Sequence, residues 1–269
     1  PPHGTWHAGP VPQPSPKDRF ITVYGRKPVL EALADPALDV DKVIVADNAR
    51  GPEIKDIELA ARRRRIPVQQ ATPQRVKVLA GNGRHDQGVL ADVVAPRMQR
   101  LASALEAGTV GGTVLLLDGI TTPANVGMIL RTATAAGLDG IVVPRRGVAS
   151  LDPLVVKASA GVAFRAPILT AHTALEAAQD LVAHGYRLVG LDADSAENLF
   201  DADLDAPVGL VLGGETNGIS PEVIDLLSLS VRIPMAADVE SLNVAAAAAV
   251  VCFELTRRSF GHRRTGAAH

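Results

Sequence analysis

Short apolar runs alternate with stretches of helical period along most of the chain, in two separate blocks. In the first, residues 21–24 form a β-type run and 26–34 carry a helical pattern. Residues 40–46 read as a strand, 52–65 as a helix, 66–70 as a strand, 72–80 as a helix and 88–95 as a strand. Pro52 opens its helix in the first turn and basic residues close it, the usual polarity of helix ends. Asn82-Gly83 marks a turn before the last strand. This alternation predicts a small three-layer α/β domain over residues 20–95. Residues 96–112 read as a linker with one helical segment over 99–107.

The second block reads as strands at 114–117, 140–143, 164–169, 187–191, 208–212 and 231–234. Helices are expected between them at 125–136, 152–160, 173–184 and 221–227, with a closing helix at 241–258 and an acidic loop at 192–205. These strands are continuously apolar rather than alternating, so they predict a mostly parallel sheet covered on both faces, an α/β fold spanning residues 113–260. No internal repeat is visible. Six of the 19 prolines fall in residues 1–16, so residues 1–19 read as an extended or disordered tail, and 261–269 as a short basic tail.

Composition narrows the function classes. A length of 269 residues suits about two domains. With 47% apolar residues and a net charge of −2, the chain cannot be a disordered one. The single cysteine, Cys252, excludes a disulfide within the chain and a cysteine zinc cluster, and no other metal-ligand grouping is visible. The longest apolar run, 244–253, is too short to span a membrane. The first residues lack a charged-then-apolar signal pattern, and one thiol fits a reducing compartment, so a cytoplasmic location is expected. Charge is distributed unevenly. Residues 1–100 carry 16 basic and 11 acidic side chains, whereas 101–256 carry 7 and 18. Such asymmetry suggests a polyanion partner for the basic half, although Arg62–Arg65 alone reads equally well as a solvated helix end.

Two nucleotide signatures are absent: there is no G-x-G-x-x-G after a strand and no P-loop, which disfavours a dehydrogenase or a kinase. Three other stretches stand out. In the first, Leu117-Asp118-Gly119-Ile120-Thr121-Thr122-Pro123-Ala124-Asn125-Val126-Gly127 leads from a strand into a helix carrying Arg131. Asn125 there can cap the helix, and it converges with Arg131 only if it lies in the loop. An arginine among Ile129, Leu130 and Ala133 needs a partner if buried. In the second, strand 208–212 runs into Gly213-Gly214-Glu215-Thr216-Asn217-Gly218. Its paired glycines allow close backbone approach by a ligand, with Glu215 projecting into the same crevice. In the third, Ile233-Pro234-Met235 precedes Glu240-Ser241-Leu242-Asn243-Val244 and an alanine run. Ser241 can be an N-cap, and Asn243 needs a partner if buried.

Taken in order, these three stretches resemble the motifs of the SpoU (TrmH) family of RNA ribose 2′-O-methyltransferases, over residues 114–258. Residues 23–33, the Lys157-Ala158-Ser159-Ala160-Gly161 stretch and Gln87-Gly88 are similar to the RlmB-like branch of that family. Thr122 stands where the family usually has Asp, and Thr216-Asn217 replaces its more usual pair after the glutamate. The resemblance implies a SPOUT fold, an α/β knot in which the C-terminal helix passes through a loop. It also implies a homodimer and S-adenosylmethionine as methyl donor. By motif position, Gly213, Ile233 and Leu242 line the cofactor pocket, with Leu191, Gly214 and Met235 beside them. Asn125, Arg131, Glu215, Ser241 and Asn243 are the implied catalytic set, in which Glu215 positions Arg131 or the ribose. Residues 20–95 look like a substrate-binding domain, with Arg26, Arg62, Arg63, Arg64 and Arg65 as candidate RNA contacts. The implied substrate is a guanosine of 23S rRNA. The alternatives are the same chemistry on tRNA, or a non-catalytic RNA-binding assembly protein of the same fold.

Overall fold

A computed structural model describes residues 18–81, 86–236, 239 and 241–265. The expected tail over 1–17, the Asn82-Gly83 turn, Glu240 of the third motif and residues 266–269 lie outside the described residues.

The first block forms a four-stranded sheet in the order β1 (Phe20–Tyr24), β4 (Val89–Val94), β2 (Val40–Ala46), β3 (Val68–Ala71). β4 runs antiparallel to both β1 and β2, and β3 is parallel to β2. Helices α1 (Arg26–Ala34), α2 (Pro52–Arg63) and α3 (Pro73–Ala80) connect the strands. Helix α2 buries Ile54, Ile57 and Ala61, spaced as one face of a helix. It stops two residues earlier than its polarity pattern predicts. Arg65 takes a left-handed backbone (φ 58°) and Ile66 N–H returns to the Ala61 carbonyl, which closes the last turn. Thr72 is not part of α3 but caps it, accepting from Arg75 N–H.

Arg64 does something its sequence context did not reveal. Its guanidinium donates to the carbonyls of Ala32 (3.2 Å), Leu33 (3.0 Å), Asp35 (3.1 Å) and Leu38. The first three are oxygens that the end of α1 leaves without helical partners, and Leu38 lies in the segment that follows. The side chain is therefore a tertiary cap within the domain.

The second block forms a seven-stranded sheet in the order β11 (Leu229–Val231), β9 (Arg187–Leu191), β10 (Val208–Gly213), β6 (Thr113–Asp118), β7 (Gly140–Pro144), β8 (Ile168–Ala171), β5 (Gln99–Arg100). Every pairing in it is parallel. Strand β6 shows why its run is apolar throughout. Leu115 and Leu117 enter one core with α5 (Pro123–Ala135) and α9 (Val244–Thr265), while Val114 and Leu116 enter the other with α4 (Leu101–Glu106) and α7 (Ala174–Ala183). Period-two side chains are thus buried on both faces.

Four expectations for this block need correction. Residues 96–112 contain the expected helix, as α4 with Leu101, Ala104 and Leu105 in the core, but also an edge strand, β5, where only linker and helix were expected. The strand expected at 164–169 starts at Ile168; Val162–Phe164 is a 3-10 turn, and Pro167, which has no N–H, contributes only its carbonyl to Ile141. The last strand ends at Val231, before the stretch around Pro234. The closing helix starts at Val244 and runs to Thr265, so residues 261–265 of the expected tail are helical.

Two packing details hold α9. Glu254 is buried and bonds the guanidinium groups of Arg257 and Arg258, which keep its carboxyl below its usual range against the opposing effect of burial. Arg258 also donates to the carbonyls of Leu199, Phe200 and Ala202, tying the acidic loop after β9 to the helix. Cys252 lies beneath this face; burial pushes its thiol up to about 12, so it is no nucleophile at neutral pH. Among the described residues, no helix is long and apolar enough to cross a membrane.

Because all seven strands run one way, Asp118, Pro144, Ala171, Leu191, Gly213, Val231 and Arg100 all end at the same edge of the sheet. The smaller unit docks near this edge through Asp18, which pairs with Arg145 at 2.5 Å, and through Tyr24, whose hydroxyl donates to Asp152 at 3.4 Å.

Replacing Arg64 by Met leaves four carbonyls short of a donor. We expect it to lower unfolding stability in urea by about 1–3 kcal/mol. The same change at exposed Arg63 should stay within about 0.5 kcal/mol.

Candidate active site

Strand β6 ends at Asp118 and the chain turns at Gly119, which has φ +70°. Pro123 then opens α5 earlier than expected, so Asn125 sits inside its first turn rather than in the loop or at the cap. Asn125 is only 4% exposed, and a buried amide needs partners. It finds them in two distant segments. Its Nδ2 donates to Glu215 Oε1 at 2.7 Å, and its Oδ1 accepts from Asn243 Nδ2 at 3.2 Å. Asn243 Nδ2 also donates to Glu215 Oε1, at 2.9 Å. The orientation of Asn243 follows from a fourth bond, because its Oδ1 accepts Ala245 N–H at 2.9 Å and caps α9. The cap is thus Asn243 and not Ser241. Three of the five expected catalytic residues form one hydrogen-bonded cluster.

The glycine pair of the second motif has a packing task. A Cβ on Gly213 would lie 2.2 Å from Gly218 C, and one on Gly214 would lie 2.3 Å from Gly119 O. These glycines let two loops meet backbone to backbone. Gly214 and Gly218 exchange N–H···O bonds of 3.0 and 2.9 Å, which sets Glu215 at the tip of a closed turn. Gly127 acts likewise between helices. A Cβ there would lie 2.5 Å from Ala158 Cβ, on α6 (Pro153–Ala158). Asp118 is a residue that sequence reasoning passed over. It is buried, and its Oδ2 accepts Ser220 N–H at 2.7 Å, fixing the segment after Gly218 to the end of β6. A carboxylate closing an otherwise apolar strand was the available signal.

Arg131 and Ser241 are exposed, and neither bonds to the cluster or to any other described residue. Arg131 shares the solvent face of α5 with Ala124, Met128 and Ala135. Glu215 therefore positions Asn125 and Asn243, not Arg131.

Of the six residues expected at the cofactor, Leu191 and Gly213 end β9 and β10 at the carboxyl edge of the sheet, and Gly214 follows Gly213. Leu191 and Ile233 are half-buried against the core, Met235 is half-buried and Leu242 is exposed. Among the described residues, no backbone hydrogen bond engages Ile233 or Met235. Aliphatic side chains of this kind suit an adenosyl group, whose apolar faces need cover. Among the described residues, no grouping of His, Cys, Asp and Glu could hold a metal ion.

Of the expected RNA contacts, Arg62, Arg63 and Arg65 are exposed on the smaller unit. Arg26 is partly engaged, pairing with Glu53 at 2.5 Å and donating to Arg50 O at 3.0 Å.

Residues 112–253 match the SpoU rRNA Methylase family, and residues 22–99 match the RNA 2′-O ribose methyltransferase substrate-binding domain. The chain belongs to the SpoU methylase family. A 23S rRNA (guanosine-2′-O-)-methyltransferase RlmB from Xanthomonas campestris is 35% identical over 242 residues, which is 89% of this chain and 97% of that one. The SpoU methyltransferase AviRb from Streptomyces viridochromogenes, in complex with AdoMet, superposes with a TM-score of 0.59 at 26% identity, covering 91% of this chain and 92% of that one. An AdoMet-bound rRNA methyltransferase from Sinorhizobium meliloti shares the fold, with a TM-score of 0.60 at 24% identity, covering 90% and 88%. The region matched to the SpoU family holds the whole hydrogen-bonded cluster and Arg131.

A Gly127→Val variant should be destabilised by about 1–3 kcal/mol in urea unfolding, because its side chain must displace α6 from α5. A companion Ala158→Gly change, which removes the opposing methyl, should recover part of that loss.

Proposed function

We propose that this chain transfers a methyl group from S-adenosylmethionine to a ribose 2′-hydroxyl of ribosomal RNA, at a guanosine of 23S rRNA. The observation that carries this reading is the Asn125–Glu215–Asn243 cluster at the carboxyl edge of the parallel sheet, built by all three family motifs. The activity of the relatives toward 23S rRNA guanosine supplies the substrate class.

When bound, the cofactor supplies a sulfonium methyl. The protein must align the hydroxyl behind the S–CH₃ bond and accept its proton. Glu215 Oε1 is taken up by the two asparagines, which leaves Oε2 to receive a ribose hydroxyl. The guanidinium of Arg131 offers only N–H donors and no acceptor, so the proton must go elsewhere. Its exposed fork is suited to hold a phosphate of the target nucleotide in bidentate fashion, and that phosphate takes the proton. Ser241, exposed one turn before α9, adds a hydroxyl on the ribose side.

The reading includes a homodimer and the threaded path of the last helix. Met128 is 41% exposed on α5 and Phe253 50% exposed on α9, and α5 packs against α9. With Ala124 and Ala246 they form an apolar patch beside Arg131 that a second copy would cover, leaving the guanidinium at its rim. A ribosomal RNA substrate places the protein in the cytoplasm.

Methyl transfer from radiolabelled S-adenosylmethionine to unmodified 23S rRNA and tRNA transcripts tests the function. Label should enter the 23S transcript and fall at least ~100-fold in Arg131→Ala. Arg131→Lys should also be strongly impaired; near-normal turnover there would sink the bidentate phosphate grip. Label in tRNA alone would keep the chemistry and overturn the target. No label in either, with no cofactor binding, would leave a non-catalytic protein.

A further inference from the structure

The methyltransferase half is acidic, with 18 acidic and 7 basic residues over 101–256. Yet cations gather at one place on it. Arg145 N–H donates to the Ala171 carbonyl and Arg146 N–H to the His172 carbonyl, so these residues continue the β7–β8 ladder beyond its last paired residues, Pro144 and Ala171. Arg100, the last residue of β5, is in register with Thr170 of β8. Three adjacent strands thus deliver Arg145–Arg146, His172 and Arg100 to one edge. At about 5 Å per strand, the row spans about 10 Å. All seven strands are parallel, so this is the edge that carries Asp118 and the Asn125–Glu215–Asn243 cluster. β7, where the row starts, lies next to β6.

The row is exposed and only partly neutralised. Arg100 and Arg146 make no side-chain hydrogen bond or ion pair among the described residues, while Arg145 pairs with Asp18 and remains 40% exposed. A concavity of about 280 Å³ opens beside them, lined by Arg100, Arg145, Thr170 and His172. Arg145 and Thr170 also line a larger cleft of about 990 Å³ between the two units, so the row bridges the substrate-binding domain and the catalytic edge. Asp18, Glu176 and Asp180 line the concavity too, and of these only Asp18 pairs with an arginine among the described residues. A solvated surface on an acidic domain would not concentrate unpaired guanidinium groups, and phosphates are what such groups hold best.

We propose that Arg100, Arg145, Arg146 and His172 form a phosphate track on the methyltransferase sheet, which leads the RNA backbone from the substrate-binding domain to the catalytic cluster. This rests on the reading of the chain as an RNA methyltransferase and adds a binding surface outside the family motifs.

The test is filter binding of an unmodified 23S rRNA transcript across a salt series, together with steady-state methyl transfer. Arg100→Ala/Arg146→Ala removes two cations that have no described partner. We expect affinity at fixed salt to fall about tenfold and the slope of log K against log salt to shrink by about 1.4, which is about 0.7 for each single-strand phosphate no longer neutralised. KM for RNA should rise, with kcat at saturating RNA and cofactor affinity unchanged. Arg100→Lys/Arg146→Lys should keep the wild-type slope. An unchanged slope and affinity in the alanine variant overturns the track, and so does an equal loss in the lysine variant. If the wild type binds RNA and the slope falls as expected but no methyl is transferred, the track stands and the functional reading fails. If the wild type binds neither 23S rRNA nor tRNA, both fail.

Discussion

Glu215 Oε1 accepts hydrogen bonds from two asparagine amides that lie 90 and 28 residues away in sequence. Through this one oxygen, the start of α5, the turn after β10 and the start of α9 are fixed against one another. Each bond contributes only about 1–3 kcal/mol, since one partner is charged and the site is open to solvent. Their weight lies in what losing them exposes. Asn125 is buried, and without Glu215 its amide N–H loses its acceptor while its carbonyl depends on Asn243, which also caps α9. Catalytic geometry and helix capping are therefore coupled. A change that frays the start of α9 also releases the carboxylate.

That joint can form only because the backbones beneath it come unusually close. Gly214 meets Gly119 and Gly213 meets Gly218 at distances where any Cβ would collide with main chain. Gly127 does the same for α5 against α6. Main chain cannot yield as the end of a flexible side chain can, so these positions are sterically determined. Asp118 adds a polar clasp from the end of β6 to Ser220. The glycines that mark the family motifs thus act first on packing; cofactor and substrate then meet an edge whose shape is already set.

The periodicity carried most of the architecture. Continuous apolar strands alternating with helices do predict a parallel sheet covered on both faces, and β6 divides its leucines between two cores accordingly. Errors arose where a short segment draws its structure from elsewhere. Gln99–Arg100 is a strand only because β8 lies beside it, and the run before Ile168 is broken by a proline that still lends its carbonyl to β7. The cluster was legible as three sets of residue types but not as a bonding pattern, because the partners of Asn125 lie far along the chain. Its place within the first turn of α5, rather than at the cap, decides which way its amide points.

Charge shows the same limit more sharply. A count along the chain assigns the polyanion to residues 1–100. Within that region, however, Arg64 is spent on the carbonyls around the end of α1, Arg26 on Glu53, and Lys42 on Asp92 and Asp41. For Lys42, burial opposes the charge and the two carboxylates outweigh it, so its ammonium is held more firmly than usual. Such cations are part of the fold and offer little to a phosphate. What a polyanion can use are cations left without partners, and those are set by topology. Parallel strands bring every carboxyl end to one side, so Arg100, Arg145 and Arg146, separated by up to 46 residues in sequence, share an edge with the asparagine–glutamate cluster despite the acidity of the domain around them.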